Sequence, residues 1–252
     1  MKRRIIGYTA FYLIALVVFA VAQVPASWVV SRAELPPEVT LSDVRGTLWT
    51  GSADLSDRHG PLGQLDWDLD AWPLLTGTVA GHVHLHGPLG EIQGNIAIEE
   101  QQLQVSETTL ALDLYAITSR PPALFPLRGE VIGTIDYALA DMSGLKALKG
   151  PLSVQQAGST FPMELALGTY MVDFTTENEV ITGTITSSEK PLSASGRVTL
   201  QRGSRYQLNL TLRPDETADP ALRDMVAMAG RARPDGSVTL VQRGDLRRWL
   251  GQ

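Results

Sequence analysis

Cysteine is absent from the 252 residues. That excludes disulfides, thiolate catalysis, iron–sulfur clusters and cysteine-ligated zinc. Histidine occurs four times and aromatic residues make up 6% of the chain. There is no Gly-x-Ser-x-Gly elbow, no Gly-x-x-x-x-Gly-Lys-Ser/Thr phosphate loop and no His-Glu-x-x-His, so the usual nucleophile, nucleotide and metalloprotease signatures are missing. An enzyme is not expected, and no cofactor is implied. Basic charge is also in deficit, with a net charge of −6. Nucleic acid and anionic headgroups are therefore unsuited as surface partners.

Long hydrophobic runs are absent too, with one exception. Ile5 to Val24 is a predominantly apolar run without a single charge, preceded by Lys2, Arg3 and Arg4. Twenty residues at about 1.5 Å each span roughly 30 Å, the thickness of a bilayer core. The cationic flank is expected to stay cytoplasmic, so everything beyond Pro25 is expected in the periplasm of a bacterial inner membrane. Ala20-Val21-Ala22 offers a competing signal-peptide cleavage pattern, which exports the same domain without the tether. The expected organisation is a tail over 1–4, a membrane helix over 5–24, a spacer over 25–38 stiffened by Pro36-Pro37, and a periplasmic β-domain over 39–252.

Beyond the anchor, apolar residues recur at every second position. His82 to His86, Ile96 to Ile98, Leu110 to Tyr115, Val131 to Tyr137, Val198 to Leu200 and Gln207 to Leu212 read as strands. Turn signals punctuate them at His59-Gly60-Pro61, Gly87-Pro88, Arg120-Pro121-Pro122, Lys149-Gly150-Pro151, Lys190-Pro191 and Arg213-Pro214-Asp215. Gly-Thr recurs five times, from Gly46-Thr47 to Gly183-Thr184, and glycine within strands permits bulges and bends. The pattern predicts an all-β fold: a strongly curved, mostly antiparallel sheet, an open half-barrel, with one or two short C-terminal helices. Asp219 as cap, Pro220 at the first turn, Leu222, Met225, Val226 and Ala229 at helical spacing and Gly230 as stop predict the first helix. Asp245 to Leu250 is the second, and Gly236 to Arg243 between them reads as a strand.

His82, His84 and His86 place three imidazoles on one strand face, the best metal signal in the chain. They span about 13 Å along a flat strand, too far for one tetrahedral ion, so no metal is assigned and a polar face opposite Val83 and Leu85 is expected. Asp66, Asp68 and Asp70 begin like a calcium loop, but Ala71 and Gly77 stand where glycine and glutamate are needed. Trp49, Trp67 and Trp72 are expected mainly as packing residues, with Trp49 also a candidate anchor for a partner. Arg243, Arg247 and Arg248 form a local basic patch, a second candidate contact.

Two patterns are more specific. One is the strand Val39 to Ala53, containing Gly46-Thr47-Leu48-Trp49-Thr50-Gly51-Ser52-Ala53 close behind a single anchor. The other is Gly230-Arg231-Ala232-Arg233, followed by Asp235-Gly236 and Val241 to Leu246. With these and Leu65-Asp66-Trp67-Asp68-Leu69, the chain resembles the general secretion pathway protein N family of bacterial type II secretion systems. The resemblance implies a non-catalytic accessory component associated with the inner-membrane platform, with the secretin as a further candidate contact. Its strand motif also occurs in AsmA-like periplasmic domains, which leaves a second reading in which the curved sheet is a groove holding lipid.

Overall fold

The computed structural model describes residues 19, 21–31, 39–73, 77–119, 127–141, 143–159, 164–187, 190–201 and 205–245. Most of the expected membrane helix, the Pro36-Pro37 spacer, and Arg247 and Arg248 lie outside them. Among the described residues, no helix is long and apolar enough to cross a membrane. Within the segment expected as a spacer, Ala26–Val30 is a short helix, α1, whose Ala26 is buried.

The rest is one sheet. Its strands are β1 (Val39–Gly46), β2 (Thr50–Asp57), β3 (Gly60–Leu69), β4 (Val79–Gly87), β5 (Gly90–Glu99), β6 (Gln102–Asp113), β7 (Leu127–Asp141), β8 (Gly144–Ser159), β9 (Leu165–Glu177), β10 (Val180–Ser187), β11 (Leu192–Leu200), β12 (Arg205–Pro214), β13 (Arg231–Ala232) and β14 (Val238–Asp245). They are all antiparallel and lie in chain order from β1 to β12, followed by β14 and then β13. The sheet is open.

The period of two becomes two chemically distinct faces. Leu65 lies opposite Leu85, Leu85 opposite Ile92 and Ile92 opposite Leu110. The same face continues through Val131 and Val154, Leu152 and Val172, Val198 and Leu208, and Leu210 and Leu240. The opposite face carries Asp66, His84, Gln93, Thr109 and Thr134 in one cross-strand row. Cross-strand neighbours of like polarity are the unit that stabilises such a sheet.

Cover for the apolar face is concentrated at its C-terminal end. Helix α3 (Pro220–Ala229) starts where Asp219 accepts the Ala221 amide at 2.8 Å, as expected of a capping residue. Helix α2 (Leu114–Thr118) follows β6 directly. The α3 side chains Leu222 and Val226 pack with Leu165, Leu192, Ala218 and Val238, and Leu212 and Met225 pack against the cluster. Farther along, Ile98, Leu103 and Leu145 remain 41%, 38% and 39% exposed.

Two expectations need correction. Leu110 to Tyr115 is not all strand, because β6 ends at Asp113, whose carboxylate accepts the Tyr115 and Ala116 amides and caps α2. Lys149-Gly150-Pro151 is not a turn. It lies inside the sixteen-residue β8, where β7 slips register between Gly133 and Tyr137, so Gly150 makes a kink within a strand. The helix expected over Asp245 to Leu250 lies outside the described residues, apart from Asp245 itself, which ends β14. Bulges also interrupt β1–β2, β2–β3, β5–β6 and β8–β9.

An Asp-x-Ser/Thr turn recurs at Asp141, Asp215 and Asp235, each carboxylate accepting the amide and hydroxyl two residues on. The bond from Lys146, then those from Ser143, hold the Asp141 carboxyl down at about 2, against an ordinary value of 3.8. The Thr217 hydroxyl and amide, then Lys190, hold Asp215 lower still. A folded value below the unfolded one stabilises above the unfolded value, and that contribution is lost as pH falls through the folded one. Melting temperature is therefore expected to drop from about pH 4 towards pH 2, and the Asp141→Asn, Asp215→Asn double variant is expected to flatten that limb. An unchanged slope in the double variant would count against these turns as its source.

Candidate functional site

The Gly46 to Ala53 motif builds a junction between residues 21–25 and the sheet. The Trp49 indole N–H donates to the Val21 carbonyl at 3.0 Å, the Leu48 amide donates to Val24 at 2.8 Å, and Pro25 bridges Thr47. The Trp67 indole N–H lies 3.3 Å from the Thr47 carbonyl and 3.2 Å from that of Leu48. Gly46 has φ +86°, and a Cβ there would lie 2.4 Å from the Thr50 carbonyl oxygen, so this bend selects glycine. A Cβ on Gly51 would meet the Trp67 ring at 2.4 Å. Trp49 is thus half-buried with its indole N–H engaged inside the chain, whereas Trp72 is 81% exposed.

The polar face gathers a second group. Of the three strand histidines, His84 and His86 come together, their ring centroids 5.0 Å apart. His82 instead pairs with the Asn95 amide oxygen at 3.2 Å. Asp66 joins the other two from β3, with Oδ2 3.4 Å from His86 Nδ1, and Glu91 reaches from β5 to His84 Nε2 at 2.8 Å. The sequence placed the histidines on one face but gave no hint of Asp66 or Glu91, whose arrival depends on strand register.

The third feature is the sheet's far edge. β13 pairs with β14 only at Val238 and Thr239, so among the described residues Leu240 to Asp245 have no strand on their outer side. Val241 is 56% exposed there, and Arg231, Arg233 and Arg243 are exposed around it. The opposite edge is different. β1 carries a bulge between Ser42 and Arg45, Asp43 at φ +50°, and an Asp43–Arg45 ion pair. Bulges and charges of this kind blunt edge pairing.

A family model described as "Type II secretion system (T2SS), protein N" matches residues 37–241. The type II secretion system protein N of Vibrio cholerae is 24% identical over 253 residues, covering 97% of this chain and all of the relative. That of Aeromonas hydrophila is 26% identical over 94% of this chain and 95% of its own length, and that of Klebsiella pneumoniae 27% identical over 86% of each. No solved structure matches the chain significantly. The amphipathic sheet, its glycine-bent Leu-Trp junction and the full-length match agree: the chain belongs to the type II secretion system protein N family.

Proposed function

We propose that the chain is a non-catalytic component of type II secretion, tethered to the inner membrane by one helix over 5–24. Its sheet lies in the periplasm and lends an edge to another secretion component, the inner-membrane platform or the secretin. The observation that carries this reading is the unpaired outer side of β14 at Leu240 to Asp245. An open row of backbone amides and carbonyls accepts a partner strand without any catalytic residue, and flanking side chains set the choice of partner. Arg231, Arg233 and Arg243 would favour an acidic segment; β1 is the poorer acceptor because of its bulge and ion pair. The named relatives, similar along nearly their whole lengths, support the assignment to secretion.

A second reading is favoured by the apolar face, which stays half-exposed across β4 to β8. With its bulges, the sheet would curve into a half-barrel whose inner side takes acyl chains. Photoreactive residues placed at Val241 and at Ile98 of the full chain in living cells separate the two. Capture of a platform or secretin subunit at Val241 is the expected result. Phospholipid at Ile98 with no protein at Val241 would replace the first reading by the second, and no capture at either position would overturn both.

A further inference from the structure

We propose that Asp66, His84 and His86 form a binding site for a zinc-class divalent cation on the polar face, with Glu91 completing or orienting it. One ligand atom from each of the three residues lies within 4.8 Å of the other two. Zinc bonds imidazole nitrogen and carboxylate oxygen at about 2.0–2.2 Å, which sets neighbouring ligands of a tetrahedral site roughly 3.4 Å apart. Asp66 Oδ2 and His86 Nδ1 stand at that separation, 3.4 Å. His84 offers the third ligand atom, its ring 5.0 Å from that of His86 and tilted by 32° to it.

Placement and charge favour a cation. Asp66 and His84 are half-buried, so less solvent must be displaced than at a bare surface. Two carboxylates beside two imidazoles form a nitrogen and oxygen donor set of the kind that holds a divalent ion. Glu91 accepts from or bonds to His84 Nε2 at 2.8 Å, and so is placed either as fourth ligand or as the outer group that fixes the ring's tautomer. Nitrogen and oxygen donors of this kind select zinc, copper or nickel over calcium and magnesium. The distance that excluded three histidines on one strand does not arise, because Asp66 enters from the neighbouring strand directly opposite His84.

The ion would tie β3, β4 and β5 together through side chains, far in sequence from the strands that α3 covers. Such a site binds the folded chain and not the unfolded one, so it raises stability with metal concentration.

The test is calorimetric titration of zinc chloride into the full chain, purified in detergent and stripped with chelator. One zinc per chain is expected, with a rise in melting temperature. His86→Ala and Asp66→Asn are expected to abolish stoichiometric binding, Glu91→Gln to weaken it about 10- to 100-fold, and His82→Ala to leave it unchanged. Absence of binding, equal binding of magnesium or calcium, or full binding by His86→Ala would each overturn the proposal. Should a variant fail to fold, zinc-edge X-ray absorption of the unaltered chain decides: two imidazoles in the shell support the site, and any other number overturns it.

Discussion

Replacing Leu222 by aspartate is expected to strip α3 from the sheet. Leu222 is 1% exposed and Val226 2%, and both sit among Leu165, Leu192 and Val238. Truncating a buried leucine to alanine typically costs about 2–5 kcal/mol. Aspartate adds the penalty of a carboxylate in an apolar site without a partner. A helix of ten residues has little stability apart from its packing, so it should detach and expose the apolar ends of β9, β11, β12 and β14. Equilibrium urea unfolding should show the loss, and limited proteolysis should begin to cut between 215 and 237. Met228, on the same helix but 88% exposed, provides the control, and Met228→Asp should stay within about 0.5 kcal/mol of the parent. Equal behaviour of the two variants would mean that the helix does not depend on this contact.

The second large effect is expected at Gly150. Its φ is +144°, and a Cβ would lie 2.2 Å from the Thr134 carbonyl oxygen and 3.0 Å from the Ile135 Cα. Both obstacles are backbone of the neighbouring strand β7, so neither can swing aside as a flexible side chain would. Gly150→Val combines a backbone conformation that costs a β-branched residue about 1–3 kcal/mol with displacement of paired strands. The sum is expected to exceed about 3 kcal/mol, beyond the range of ordinary substitutions. Gly236 separates the two causes, since it has φ +76° with nothing within 4 Å of its would-be Cβ. Gly236→Ala should cost only about 1–2 kcal/mol. Urea midpoints for the pair, with amide exchange read along β7 and β8, would reveal whether the close approach matters. A Gly150 variant no worse than the Gly236 variant would refute it.

Much of this architecture was legible because it rests on local chemistry. Alternation of apolar and polar residues specifies strand faces, and Asp219, Pro220 and Gly230 bound α3 through capping and helix-breaking effects that act within one turn. What failed to read depends on pairing between strands. Gly150-Pro151 looks the same whether it ends a strand or kinks one, and only the register with β7 decides. The hairpin at Glu100-Gln101, with φ values of +47° and +67°, has no glycine to announce it. The helix over Leu114 to Thr118 was hidden because Leu114 and Tyr115 prolong the alternation of β6, although Asp113 was a readable cap. The same limit applied to the polar cluster. His84 and His86 were visible as alternate residues, but Asp66 belonged to another run of carboxylates until pairing set it opposite His84.

The order of the strands bears on how such a chain is made. From β1 to β12, every strand pairs with its immediate predecessor, so no strand has to wait for a distant partner, and short-range pairing of this kind is kinetically favoured. As the polypeptide emerges during synthesis, the sheet can lengthen by one hairpin at a time, starting from β1. At each stage the newest strand is the exposed edge, the part most prone to wrong pairing. Only the final reversal changes this: β14 docks on β12 and the short β13 folds back outside it, so synthesis ends by partly shielding the edge that has been growing throughout.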